Sequence, residues 1–229
     1  MEIIAKIQTD FPTKFGIPRQ SGLVESLKGV ITFEPKYRNP QGVYGLDGYS
    51  YIWLLWSFSE NHRQGWSATV KPPRLGGNKR MGVFATRSPF RPNDIGLSCV
   101  KLERVVLDEK NGPMLYVAGV DLMDQTPIYD IKPYIPFTDS HPDAKGGFSD
   151  AVRDYALEVE FPSHLLAHFP EEKREAVIYV LQQDPRPAYQ YGKADEREYG
   201  IWLGAWNIKW RLKTGETTEA EVLYLEERR

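Results

Sequence analysis

The run YSYIWLLWSFS, residues 49–59, crowds aromatic and aliphatic side chains into a segment that is far too short to span a bilayer and that follows a glycine. A stretch of that length and composition reads as a β-strand. The same texture recurs in EIIAKI (2–7), GVITFE (29–34), GVFAT (82–86), IGLSCVKLERVVL (95–107) and MLYVAGVDL (114–122), with Gly, Pro, Asn or Asp at the boundaries. Such regular alternation of strand and turn predicts a mainly β protein with an N-terminal antiparallel β-barrel over residues 1–140, because closing the sheet leaves few raw edges. A two-layer sandwich is the alternative.

The texture changes in DSHPDAKGGFSDAVR (139–153), which is poor in aliphatics and rich in turn formers, as a connection between domains should be. Beyond it a small α+β domain is expected over 154–229. SHLLAHFPEEKREAVIYVLQQD (163–184) has helical spacing at Ala176, Val177, Val180 and Leu181, with Ser163 as a candidate cap and Pro170 starting or breaking a segment. Two strands follow, GIWLGAWNIKWRLK (200–213) and AEVLYLEE (220–227).

At 229 residues the chain can bury a sizeable core without metal clips or disulfides. The one cysteine, Cys99, excludes an internal disulfide, points to a cytoplasmic address and reads as a buried, inert thiol. No apolar run approaches the length of a membrane span, and the N-terminus lacks the apolar core of a signal peptide, so no membrane partner is expected. A formal net charge of −2 argues against indiscriminate coating of nucleic acid, so partners must be sought through local charge.

Local charge is concentrated in KPPRLGGNKRMGVFATRSPFRPNDIGLS (71–98), where six basic residues lie between Lys71 and Arg91 with no acid among them. A solvated face paired with acids from elsewhere is the plain reading of such a run. The paired Pro72–Pro73, Gly76–Gly77 and the tight RSPFRPND instead leave stiff, open backbone around arginines, as an anion or RNA-backbone site requires. Two further stretches could carry chemistry. GVDLMDQTPIYDIKPY gathers Asp121, Asp124, Asp130, Lys132 and Tyr134 at the end of an apolar strand, although Asp124 could equally bond its own turn. In QDPRPAY (183–189), Arg186 stands between two prolines ahead of Tyr189 and Tyr191, which suits stacking on an unpaired base as well as a packed surface loop. No glycine-rich nucleotide fingerprint and no GxSxG elbow occurs, and the four histidines lack ligand spacing, so no metal is expected.

FGIPRQSGLV (15–24), the 71–98 stretch, DLMDQTPIYDIKPYIPF (121–137) and QDPRPAY together resemble the TsaA-like family of β-barrel, S-adenosylmethionine-dependent tRNA methyltransferases, along the full length of the chain. The resemblance implies a homodimer with the cofactor near the subunit contact, and methylation of N6-threonylcarbamoyladenosine beside the anticodon. It also implies that Pro18, Arg19, Gln20, Ser59, Glu60, Arg87, Leu97 and the turn Leu122, Met123, Asp124 and Gln125 border S-adenosylmethionine. Arg74, Lys79, Arg80 and Arg91 would meet tRNA phosphates, and Arg186 with Tyr189 the modified base. Ser59–Glu60 replaces a His–Gln pair of the relatives, Asp94 stands where they often have proline, and Gln125 stands where glycine is common. Asp124 is the candidate general base, with an orienting role as its alternative. The competing functions are a non-catalytic RNA-binding barrel and a nucleotide-binding regulator.

Overall fold

A computed structural model of the protein describes residues 1–60, 65–72, 75, 79–187 and 190–228. The chain forms two compact units, Met1–Gln64 with Pro92–His141, and Gly65–Arg91 with Pro142–Arg229. The first is the barrel. Six strands, β1 (Ala5–Gln8), β2 (Lys28–Phe33), β3 (Tyr51–Ser57), β6 (Ile95–Asp108), β7 (Gly112–Ala118) and β8 (Thr126–Pro133), close in the order β1-β2-β7-β6-β3-β8, every pair antiparallel.

Successive side chains along these strands alternate between the inside and the outside of the barrel. Ile52, Leu54 and Trp56 of β3 are buried, as are Gly96, Ser98, Val100 and Leu102 of β6, with Ile7, Ile31, Leu115, Val117 and Ile128 filling the interior from the other strands. Gly96 has a packing reason: a Cβ there would lie 2.3 Å from Cε2 of the Trp56 indole, so the ring occupies space that only glycine leaves. The Trp56 Nε1 donates to Ser98 Oγ at 2.9 Å, and Ser98 Oγ donates to Asp121 Oδ1 at 2.6 Å, which satisfies polar atoms carried into the core. A register shift between Leu102 and Arg104 marks a bulge in the long β6, beyond which it stays paired with β7 as far as Asp108.

Two departures from the sequence reading concern single elements. GVFAT forms no strand: only Met81–Gly82 (β5) pairs, with Thr69–Val70 (β4), and Val83–Ala85 coils into a 3₁₀ turn. TPIYDIKP, read as a chemistry-bearing stretch, is the strand β8 that closes the barrel between β1 and β3.

The second unit contains a four-stranded sheet in the order β10-β11-β12-β9, from Tyr199–Leu203 (β10), Trp206–Leu212 (β11), Glu219–Glu227 (β12) and Glu158–Glu160 (β9), the last parallel to β12. The expected single strand at 200–213 is a hairpin, because Gly204 at φ +59° reverses the chain. Helix α3 (Glu171–Gln182; α1 is Pro136–Asp139 and α2 Ser163–Leu166) buries Ala176, Val177, Val180 and Leu181, the face read from the sequence, and Pro170 occupies its N-cap position. At the start of α2 the cap position belongs to Pro162, so Ser163 makes no capping bond.

Gly96→Ala is expected to lower stability by about 1–3 kcal/mol, the range for overpacking a closed core. Gly29→Ala should cost less, since its new Cβ meets aliphatic side-chain atoms of Ile7 and Val120 no nearer than 2.9 Å, against 2.3 Å from a rigid indole. Urea unfolding checks both: the midpoint should fall with an unchanged slope, and further for Gly96→Ala.

Candidate active site

One end of the barrel gathers most of the predicted cofactor residues by hydrogen bonds between segments distant in sequence. The loop that carries Pro18, Arg19 and Gln20 is fixed by Ser21, whose Oγ accepts from the Cys99 amide at 3.0 Å, and by Gly22, whose amide donates to the Gly119 carbonyl at 2.8 Å. Gly119 holds φ +72° with a built Cβ only 3.1 Å from Gly22 Cα, so both the conformation and the close approach call for glycine. Pro18 is buried and Arg19 and Gln20 half-buried, with Gln20 Nε2 donating to the Arg19 carbonyl. Leu97 lies two residues before Cys99 on the outward face of β6 and is 48 % exposed.

The turn Leu122–Gln125 is stitched to the chain after β1. Asp124 N donates to Phe11 O and Gln125 N to Ile7 O, both at 2.8 Å, and Thr9 Oγ1 donates to Leu122 O at 3.0 Å. Gln125 adopts φ +63°, a left-handed conformation that favours glycine. Asp124 Oδ1 accepts from the Thr9 amide at 3.1 Å and from Gln125 Nε2 at 3.3 Å. The carboxylate thus bonds a neighbouring segment's backbone. It orients the turn.

Ser59 and Glu60 are exposed where the chain leaves β3, beside the start of β6, since Ser57 pairs with Ile95 and Phe58 N donates to Asp94 O at 3.1 Å. Cys99, expected to be buried, is only partly so; burial, followed by the nearby Asp139 carboxylate, raises its thiol pKa, which disfavours the thiolate.

The basic stretch belongs to the second unit. Lys71, Lys79, Arg80 and Arg87 are exposed, and Arg80 Nη1 donates to Thr69 Oγ1 at 2.7 Å. Arg91 is half-buried and serves the loop itself: its Nη1 donates to Thr86 O at 2.6 Å and Val83 O at 3.1 Å, while its guanidinium lies 5.6 Å from the centre of the Phe84 ring. Arg74 and Tyr189 lie outside the described residues.

Family models match both parts of the chain, the tRNA-methyltransferase O N-terminal domain over residues 6–140 and the TrmO C-terminal domain over residues 154–228. The chain belongs to the tRNA-methyltransferase O family. It is 41 % identical over 217 residues to the tRNA (adenine(37)-N6)-methyltransferase of Escherichia coli K12, with 92 % of each chain covered. It is 38 % identical to a putative S-adenosylmethionine-dependent methyltransferase of Pseudomonas aeruginosa, with 90 % of each covered. The crystal structure of TrmO from Pseudomonas aeruginosa superposes with a TM-score of 0.73 at 30 % identity, over 98 % of this chain and 97 % of that one.

Within this tRNA-methyltransferase O chain, one expected tRNA contact is corrected. Arg186 is 2 % exposed, and its guanidinium makes a two-pronged pair with Asp184, Nε to Oδ1 and Nη2 to Oδ2, both at 2.7 Å. Neither side chain is exposed. Nη1 also reaches Lys193 O and Nη2 reaches Thr217 O. A guanidinium enclosed in this way cannot stack on a base; it ties the loop after α3 to the sheet unit. The prolines on either side suggested a presented arginine, whereas the partner two residues upstream, Asp184 at φ +51°, was the signal for burial. Burial works against the charge of Arg186, but the bonds to Asp184 outweigh it and raise its pKa. Burial and the bond to Asp184 push the Tyr155 phenol up to about 12. The sequence reading also passed over Thr9, Ser21 and Ser98, short polar residues whose partners lie far along the chain.

Arg186→Ala should therefore destabilise the protein by about 3–5 kcal/mol, because Asp184 is left as an unpaired buried charge. Thermal melts check this. The raised Tyr155 pKa favours the neutral phenol in the folded state, so its contribution is complete below about pH 10 and is lost as pH rises towards about 12. Melting temperature should fall across that window, and less steeply in Tyr155→Phe.

Proposed function

We propose that this tRNA methyltransferase places a methyl group on the N6 nitrogen of N6-threonylcarbamoyladenosine beside the anticodon, with S-adenosylmethionine as donor. The observation that carries the reading is the convergence of Pro18–Gln20, Leu97 and Leu122–Gln125 at one end of the barrel. The donor set fits the cofactor. Leu97 offers the exposed apolar surface that a purine ring needs, and Arg19 and Asp124 carry the charges opposite to those of an amino-acid carboxylate and amine. Arg87, Ser59 and Glu60 complete the set by family likeness.

When bound, S-adenosylmethionine supplies an electrophilic methyl group, and transfer forms one N–C bond, breaks one S–C bond and frees the N6 proton. The protein's part is positioning, which can supply most of the acceleration for such a displacement. Asp124 acts by holding the turn through Thr9, and the released proton passes to solvent. Lys79 and Arg80, with Arg74, hold phosphates; Arg91 holds the loop that presents them. The barrel unit carries the cofactor, and the second unit, in which the basic stretch groups with the C-terminal residues, places the tRNA. Two copies associate as a homodimer, with the exposed Leu97 near the contact, and the tRNA substrate implies work in the cytoplasm. No helix among the described residues is long and apolar enough to cross a membrane.

Calorimetry should show binding of S-adenosylmethionine and of its demethylated product, and nucleoside mass spectrometry should find the new methyl only on tRNA that carries the threonylcarbamoyl group. RNA binding without affinity for either cofactor form would favour the non-catalytic module. Asp124→Asn should keep the single-turnover rate within about tenfold of wild type, since loss of a true general base costs about a hundredfold or more. Lys79→Gln and Arg80→Gln should each lower the salt slope of tRNA binding by about one unit or less, while Arg87→Ala should weaken cofactor binding more than tRNA binding. Light scattering at micromolar concentration tests the dimer.

A further inference from the structure

Two aromatic side chains in the second unit stand in water without serving its core. Trp66 is 53 % and Phe84 69 % exposed, and their rings lie near-parallel, 24° apart in plane and 6.1 Å between centres. Their backbones are pinned together. Val83 N donates to Ala68 O at 3.0 Å and Ser67 N to Phe90 O at 3.2 Å, and the buried Val83 anchors the 3₁₀ turn on which Phe84 sits. Arg91 locks that turn through two carbonyls and lays its guanidinium over Phe84. An aromatic pair held rigid from behind loses little freedom when a flat partner arrives.

The surrounding charge selects the partner. Lys71, Lys79, Arg80 and Arg87 are exposed on the same segment, which carries no acid from Lys71 to Arg91. Aromatic faces set in a cationic segment are the combination that binds unpaired nucleotides, the rings taking the base and the cations its phosphates. We propose that Trp66 and Phe84 form a stacking platform for an unpaired base of the tRNA anticodon loop, with Arg91 as the positioning residue that holds it. The inference rests on the tRNA-methylating reading above and adds to it the element that takes hold of a loop nucleotide. A paired stem offers no free base face, so the platform discriminates loop from duplex where the cations alone do not.

The test uses the full-length protein and two RNA probes, an anticodon stem-loop and a fully paired hairpin of equal charge, with affinities read by fluorescence anisotropy. Trp66→Leu and Phe84→Leu keep apolar bulk but remove the ring. Each should weaken stem-loop binding by about tenfold or more, the scale of one lost base–aromatic stack. Binding of the paired hairpin, S-adenosylmethionine affinity and melting temperature should stay unchanged. Phe84→Tyr and Trp66→Phe should restore binding, and the quenching of tryptophan fluorescence by the stem-loop should shrink in Trp66→Phe. Equal loss for both RNAs, or none, overturns the platform. So does a loss confined to S-adenosylmethionine, which would give the pair to the cofactor, or a shift in oligomeric state, which would give it to a second copy of the chain. Ring-dependent stem-loop binding in a wild-type protein that methylates no tRNA would leave the platform standing and remove the enzymatic reading.

Discussion

Closure of the barrel through β8 is the constraint on which the rest of the first unit depends. β8 pairs with β1 on one side and β3 on the other, and without it both would present unpaired backbone edges to water or to other chains. Its entry is set by the Leu122–Gln125 turn, whose amides are taken by the carbonyls of Ile7 and Phe11. The segment that seals the sheet therefore also shapes the candidate cofactor end. A change that relaxed the left-handed Gln125 or removed the Thr9 bonds would act on closure and site together.

The two arginines singled out beside prolines show how context divides one residue type between structure and recognition. Arg186 follows Asp184 by two residues and is drawn inside with it, because a buried guanidinium is tolerable only when its hydrogen bonds and charge are matched. Arg91 turns instead to the carbonyls of Val83 and Thr86, which leaves a flat cation beside an exposed ring. The first arrangement fixes a loop to its sheet. The second keeps positive charge and aromatic surface at the protein's outer face, where a polyanion can reach both.

A methyl transfer from a sulfonium asks for geometry more than for covalent help, and the first unit suits that demand. Its candidate site is made of turns, yet each is tied to the barrel: Ser21 to β6, Gly22 to the residue that follows β7, and Gln125 to Ile7 of β1. Loops carry function best when a rigid scaffold positions them. The polar chain Trp56–Ser98–Asp121 extends that rigidity from the core to the start of the site, with each buried polar atom satisfied by the next.

Most barrel strands, the α3 face and the family motifs were legible in the sequence, because β-branched and aromatic runs between turn formers and helical spacing are local signals and a motif is a linear string. Ile52, Leu54 and Trp56 lie in the run read as a strand and point inward. β8 was not recognised as a strand, since its prolines, lysine and aspartate interrupt the apolar run and its place depends on partners more than a hundred residues away at β1. GVFAT has strand composition, but after Gly82 the chain turns and only two residues find a partner. The candidate cofactor residues were read one motif at a time; their meeting at one barrel end was decided by bonds such as Ser21 to Cys99, which no local pattern encodes. The burial of Arg186 and the exposure of Trp66 and Phe84 belong to the same class. Sequence fixes what each residue offers, while solvent and partners are assigned only when distant segments pack.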